Sequence, residues 1–269
     1  MTADEVIQYY QDGFRESERL TSAGPGRLEF LRTQRIVGQR LRDRPMCIAD
    51  IGGGPGLYAA WLAGLGHEVE LVDPVPIHVQ QAQELPVEPG SIRASIGDAR
   101  EVDLGDESVD AVLLLGPLYH LPSVADRMVA LAEAWRILRP GGLVFAAAIS
   151  RFASLHDGLK HGWLNDPDFA SIVGRDLETG HHRNPTNRPG WFTDAYFHRP
   201  EELGAEVADA GFHDVSVHGV EGLVGWLANL DELIQDHHQL EAILDALDRV
   251  DTEPSLLGAS AHLLACGSK

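Results

Sequence analysis

Basic residues are scarce in this 269-residue chain: 21 Lys and Arg stand against 41 Asp and Glu, a formal charge of −20. A field of that sign repels phosphate backbones and anionic lipid surfaces, which sets nucleic acid and membrane aside as partners. Cysteine is scarcer still. Cys47 and Cys266 are the only two, too few for a disulfide framework and too far apart for a Cys-x-x-Cys metal pattern, so both are expected to fill apolar core positions. There is no uncharged apolar run of about 18 residues, and the start Met1-Thr2-Ala3-Asp4-Glu5 has no basic stretch leading into an apolar one. Neither a membrane span nor a secretory leader is indicated, and a cytoplasmic location is the expectation. Internal repeats and low-complexity tracts are missing as well. What the chain does have is 44% apolar and 23% charged residues, enough for a single globular domain with a large core.

Apolar runs of strand length alternate with amphipathic stretches of helix length, the pattern of parallel strands joined by helical crossovers. The strands are expected at Met46–Ile51, Val69–Val72, Ser91–Ile96, Val109–Leu115 and Leu143–Ile149, with helices near 56–65, 76–84 and 123–138. Arg139-Pro140-Gly141-Gly142 then reads as a helix stop followed at once by a strand. Residues 1–44 form a helical preface and 45–149 a core, while 150–199 show no clear period of 2 or 3.6 and read as an irregular insertion. That insertion holds 7 of the 18 aromatic residues and 5 of the 13 histidines. In 200–269 a helix to about Ala210, a strand through Val217, helical stretches over Leu223–Leu230 and Leu233–Val250, and a last strand at Ala261–Cys266 complete the chain. The stripe from Leu233 to Val250 is flanked by acids rather than lysines, so it is core or a homodimer contact rather than a membrane surface.

The most informative stretch is Asp50-Ile51-Gly52-Gly53-Gly54-Pro55-Gly56, between an apolar strand and an amphipathic helix. Glycines let the backbone turn sharply and approach a ligand, and the free amides of the next helix face that ligand. A dinucleotide loop needs a third glycine where Leu57 stands, so the spacing disfavours a nicotinamide-dependent reductase, one of two rival readings. The other rival is a non-catalytic cofactor-binding protein.

The loop matches Asp-x-Gly-x-Gly-x-Gly, and the chain resembles the class I S-adenosylmethionine-dependent methyltransferases over nearly its whole length. Further landmarks follow in the family's order: Asp73-Pro74 at the end of the second strand, Gly97-Asp98-Ala99 after the third, Leu113 to His120 after the fourth, and Arg139-Pro140-Gly141-Gly142 before the fifth. The resemblance implies a Rossmann-like α/β fold with a seven-stranded, mostly parallel sheet, helices on both faces, the last strand antiparallel, and residues 150–199 as an acceptor-binding cap. It implies S-adenosyl-L-methionine as cofactor. Asp73 would hold the ribose diol, Asp98 the adenine amino group, and Asp50, Gly52, Gly54, Gly56, Pro74, Ala99 and Leu115 the rest of the cofactor site. A preface carrying Tyr9, Tyr10, Arg19, Glu29 and Arg32 would fold over it, Tyr10 as a lid and Arg32 on the cofactor's carboxylate.

Methyl transfer is an in-line displacement that needs no metal, and none is expected; the histidine spacings lack the common zinc patterns. The expected acceptor is a small aromatic metabolite, of the kind met in secondary metabolism, methylated at O, N or C. Where a proton must leave, a base that titrates near neutrality helps. His120, beside Tyr119 at the end of the fourth strand, is the first candidate; His181, His182 and Asp194 in the insertion are the second.

Overall fold

The computed structural model describes Leu20 and residues 24–269. In chain order the elements are α1 (Pro25–Gly38), β1 (Cys47–Ile51), α2 (Leu57–Gly64), β2 (Glu68–Asp73), α3 (Pro76–Gln83), β3 (Ser91–Ile96), β4 (Val109–Leu114), α4 (Pro117–His120), α5 (Val124–Ile137) and β5 (Leu138–Ile149). The second half adds α6 (Ala153–His161), α7 (Pro167–Thr179), β6 (His181–His182), β7 (Ala195–Tyr196), α8 (Pro200–Asp209), β8 (His213–Gly219), α9 (Leu230–Gln235), α10 (His237–Leu247), α11 (Pro254–Leu257) and β9 (His262–Ser268).

Seven strands form one sheet in the order β3-β2-β1-β4-β5-β9-β8. Strands β1 to β5 pair in parallel, and β9 runs antiparallel between β5 and β8. This is the expected Rossmann-like topology. Both faces are covered, so β1 alternates between two cores: Ile48 packs with Ile36 and Val37 of α1 and Leu62 of α2, while Ala49 and Ile51 pack with Leu131 of α5 and Leu203 of α8. That double burial is why the inner strands read as unbroken apolar runs. The Arg139 to Gly142 segment does follow a helix, but as the first residues of β5. Val109 pairs with Leu138 and Ala111 with Leu143, so the extra residues form a bulge.

Three expectations need correction. Residues 150–199 are not irregular: they hold α6, a 3₁₀ turn at Trp163–Asn165, α7 and a small β6–β7 hairpin. The core side of α7 is Phe169, Ile172, Val173 and Asp176, a helical i, i+3, i+4, i+7 set whose last member is a carboxylate. Leu233–Val250 is not one helix either. Asp236 breaks it, its side chain accepting from the His238 and Gln239 amides to cap α10. The stripe belongs to the core, since Leu230, Ile234, Leu240, Leu244 and Leu247 pack on Leu28 of α1. Cys266 is buried, with its thiol pushed up to about 12 by burial, but Cys47 is only half-buried. Among the described residues no helix is long and apolar enough to cross a membrane.

Candidate active site

Parallel strands deliver their following loops to one edge, and the chemistry gathers there. Gly52 follows β1 with φ of +70°, and a Cβ on it would lie 2.7 Å from Pro117 Cγ at the start of α4. A Cβ on Gly53 would lie 2.6 Å from Asp50 Oδ2. Both positions therefore need glycine: the loop passes between the end of β4 and the Asp50 carboxylate with no room for a side chain.

Asp73, ending β2, is 4% exposed and ties the loop down. Its Oδ2 accepts the Gly54 N–H at 2.8 Å; its Oδ1 accepts the Val75 N–H at 2.9 Å and faces His78 Nδ1 at 3.1 Å. Asp98 is more open and is clamped by Arg100, whose Nε and Nη2 donate to its two oxygens at 3.0 and 2.7 Å. The Arg100 hydrogen bonds and charge hold the Asp98 carboxyl below the usual range, against the effect of burial. Asp50 is fully buried, and neither of its oxygens makes a hydrogen bond of ordinary geometry. Burial, and then the charge of Asp73, push its carboxyl up to about 7; the Ala59 N–H opposes this weakly.

These groups line one cavity of about 150 Å³, with Asp50, Gly52, Gly54, Asp73, Pro74, Asp98, Ala99, Leu115, Tyr119 and His120 all in its wall. A second cavity, about 840 Å³, opens between the cap and the carboxyl edge of the sheet. Its aromatic wall includes Phe169, Trp191, Phe192, Phe197 and Trp226, and its polar groups include His156, Lys160 and Glu221. Tyr119, Glu29 and His262 border both cavities.

Several expected site residues lie elsewhere. Arg32 borders neither cavity. It is fully buried, with Nε donating to the Val220 carbonyl at 3.2 Å, Nη1 to Asp248 and Nη2 to Asp251 at 2.8 Å, so its fork bolts α1 to the end of α10 rather than reaching for a cofactor. Gly56 caps α2 with φ of +89° and stays out of the cavity wall. His181 is exposed on β6, and neither it nor Asp194 lines a cavity. His182 does line the larger one, but as a brace. Its Nδ1 meets Asp176 Oδ2 at 2.7 Å, Ser154 Oγ donates to the same oxygen at 2.5 Å, and its Nε2 meets the Trp191 carbonyl at 2.8 Å. Both ring nitrogens are engaged by protein acceptors, so neither is turned to the cavity. Tyr9, Tyr10 and Arg19 lie outside the described residues.

Residues that sequence reading missed include Thr33, His78 and Arg100 in the smaller cavity, Glu221 in the larger one and His262 at the shared wall; Glu221 and His262 form a group there with Glu29 of the preface. Among the described residues this is the one group whose donor atoms converge as a metal site would require, all within 4.8 Å. A direct Glu221–His262 hydrogen bond occupies the space an ion would need, since donors bound about 2.1 Å from one ion stand about 3 Å apart or more. The group is a hydrogen-bonded pair with a second carboxylate beside it.

The lining of the small cavity suits a nucleoside carrying a cation. Carboxylates at the ends of β2 and β3 suit a diol and an amino group, and the buried Asp50 carboxyl is the group that a bound positive charge would relieve.

Comparison with known proteins agrees with this geometry. Residues 49–146 match the Methyltransferase domain family. A ubiquinone biosynthesis O-methyltransferase of Azorhizobium caulinodans is 32% identical over 201 residues, covering 72% of this chain and 71% of the relative. An uncharacterised methyltransferase of Mycobacterium tuberculosis is 30% identical over 154 residues, and that match spans 57% of this chain but only 56% of the relative's length. The crystal structure of a SAM-dependent methyltransferase from Methanosarcina mazei superposes with a TM-score of 0.58 at 17% identity, covering 87% of this chain and 96% of that one.

Proposed function

The chain belongs to the class I S-adenosylmethionine-dependent methyltransferases, and from that premise we propose that it methylates an O, N or C nucleophile of a small aromatic metabolite. One observation carries the reading: the cavity built by the glycine loop, Asp73 and Asp98 shares the wall of Tyr119, Glu29 and His262 with an aromatic-lined cavity large enough for a second molecule. S-adenosylmethionine, bound in the smaller cavity, supplies an electrophilic methyl group on a sulfonium.

The protein's part is to bind, orient and exclude water. Asp73 holds the ribose hydroxyls with the oxygen capacity left beside the Gly54 and Val75 amides, and Asp98 faces the base. Asp50 compensates positive charge at the amino-acid end. Tyr119 and His120 wall the methyl end, where the His120 ring stacks on Phe192 with centroids 5.9 Å apart. The rings of Phe192, Phe197 and Trp191 form a dry face for a planar acceptor. The name of the Azorhizobium relative, a ubiquinone biosynthesis O-methyltransferase, supports oxygen as the nucleophile.

The test is transfer of labelled methyl from S-adenosylmethionine to a panel of catechols, indoles, arylamines and aromatic carboxylates. Product with at least one ring-bearing acceptor is expected. Transfer only to non-aromatic acceptors would refute the acceptor class, and no transfer at all would leave a binding protein.

A further inference from the structure

We propose that Arg127 sets the acceptor-binding cap in register with the cofactor cavity, as the positioning residue on which in-line methyl transfer depends; this deepens, and rests on, the methyl-transfer reading. Arg127 lies in the first turn of α5 and borders neither cavity. A helical side chain leans back toward the start of its helix, so this one reaches the chain that enters α5. Its Nη1 donates to the carbonyls of Leu121 and Pro122, at 3.0 Å each. Leu121 follows directly on α4, which carries Tyr119 and His120, and it borders the cofactor cavity itself.

The rest of the guanidinium reaches two other elements. Nε and Nη2 donate to the two oxygens of Glu206 on α8 at 2.8 and 2.6 Å, and the central carbon sits 3.9 Å from the centre of the Tyr196 ring on β7. One planar fork thus meets a loop, a helix and a hairpin, which a lysine ammonium could not do. Arg127 is 2% exposed, and a buried charge is costly unless satisfied in this way. Burial pushes the Glu206 carboxyl up, but the hydrogen bonds and charges of Arg127 and His198 outweigh it and hold the group at about 2.

The hairpin is gripped from behind. Successive side chains of a strand point to opposite faces: Tyr196 meets Arg127, while its neighbours Ala195 and Phe197 pack with Tyr119 and Ile149. Phe197 and Tyr119 both border the larger cavity. A second buried arginine secures the same stretch, with Arg151 Nε donating to the Phe197 carbonyl at 2.8 Å and Nη2 to the Tyr196 hydroxyl at 3.2 Å and to Glu202 at 2.7 Å. Arg127 is therefore where the wall of the cofactor cavity and the wall of the acceptor cavity are fastened to each other. Arg32, by contrast, fastens α1 to the end of α10, away from both.

The consequence is one of alignment. The methyl donor is held by the loops of the sheet and the acceptor by the cap, so a slip of one against the other leaves each bound but moves the nucleophile off the sulfur–methyl axis. A misplacement of about 1 Å can cost a rate about 100-fold. Loosening Arg127 should therefore lower kcat with little change in the affinity for S-adenosylmethionine.

The test uses the full chain and Arg127→Lys, which keeps a charge beside Glu206 but loses the fork. Amide exchange over residues 118–123 and 195–198 should speed by about 10-fold or more, while that over 50–56 stays within about twofold. With the panel acceptor that turns over, kcat should fall about 10-fold or more, and the KM for S-adenosylmethionine and the Kd for S-adenosylhomocysteine should stay within about twofold. Unmoved exchange over 118–123, an unchanged kcat, or a loss of S-adenosylhomocysteine affinity as large as the loss of kcat would each overturn the assignment. A second pair of variants separates alignment from stability. Arg127→Met leaves Glu206 without its partner and should lower the urea midpoint; adding Glu206→Leu should recover most of that loss, with kcat still about 10-fold down. A kcat that returns with the midpoint would make Arg127 a brace alone and overturn the proposal. If Arg127→Met does not fold, the exchange pattern of Arg127→Lys decides. Calorimetry with S-adenosylhomocysteine on the unaltered chain keeps the two readings apart: failure to bind sinks the methyltransferase reading, while the exchange pattern decides the Arg127 assignment without an acceptor.

Discussion

Replacing Asp50 with Asn should flatten the pH dependence of this protein's stability. The Asp50 carboxyl is pushed up to about 7 in the folded chain, by burial first and by the Asp73 charge second, from an ordinary value of 3.8. Between those values the native state keeps a proton that the unfolded chain has released, so stability falls as pH rises from 3.8 to about 7 and levels off above it. Each pH unit in that window is worth about 1.4 kcal/mol, so this one group removes about 3 kcal/mol between pH 5 and pH 7. Urea unfolding of the ligand-free protein at pH 5 and pH 8, for the unaltered chain and for Asp50→Asn, isolates the term of Asp50 together with its coupling to Asp73, because titrating groups that do not interact with Asp50 cancel in the double difference. The unaltered chain should lose about 3 kcal/mol more than the variant over that range. Equal losses would mean that Asp50 is already ionised at pH 5 and would refute the argument from burial. Under the proposed function, S-adenosylmethionine affinity should also rise with pH up to about 7 in the unaltered chain, and that rise should be missing in Asp50→Asn.

Other expectations can be checked in the same way. Gly53→Ala places a methyl 2.6 Å from Asp50 Oδ2 and 2.9 Å from Leu71 Cδ1, and calorimetry should show S-adenosylhomocysteine binding weakened about 10-fold or more, as overpacking costs 1–3 kcal/mol. Arg32→Met removes the buried guanidinium shared by Asp248 and Asp251, leaving Asp248 to Arg35 and Asp251 to His218; urea unfolding should show a loss of about 2 kcal/mol, with cofactor affinity within threefold if the arginine is a brace and not a ligand. Asp176→Ala removes the acceptor shared by Ser154 and His182, so amide exchange across residues 153–197 should speed by about 10-fold. His120→Ala should slow methyl transfer while leaving S-adenosylhomocysteine affinity nearly unchanged, and an unaltered rate would take His120 out of the mechanism.

What could be read from the sequence follows from how local each signal is. The loop from Asp50 to Gly56 and the acids Asp73 and Asp98 each follow an apolar strand, and a parallel sheet turns that order directly into a shared edge. The sheet's double burial made its inner strands easy to find. The cap was hidden because its helices bury polar or small residues: α6 puts Ala153, Ser154 and Gly158 inward, and α7 spends its fourth inward position on Asp176. Arg32 looked available because an arginine in a helix usually reaches solvent, while Asp248 and Asp251, which bury it, lie more than 200 residues along the chain. His262 carried no motif: its ion partner is 41 residues earlier and on another strand's end. The only local hint was Ser260 two positions before it, on the same carboxylate.

The central claim is that the glycine loop and the carboxylates at the ends of β2 and β3 form one site for an adenosyl sulfonium. Isothermal titration of the full chain with S-adenosylhomocysteine, beside Asp73→Ala, tests it most directly. One molecule should bind per chain, and Asp73→Ala should weaken that binding about 10-fold or more, as expected for losing hydrogen bonds to a charged group. No binding to the unaltered chain, or equal binding by the variant, would contradict the account.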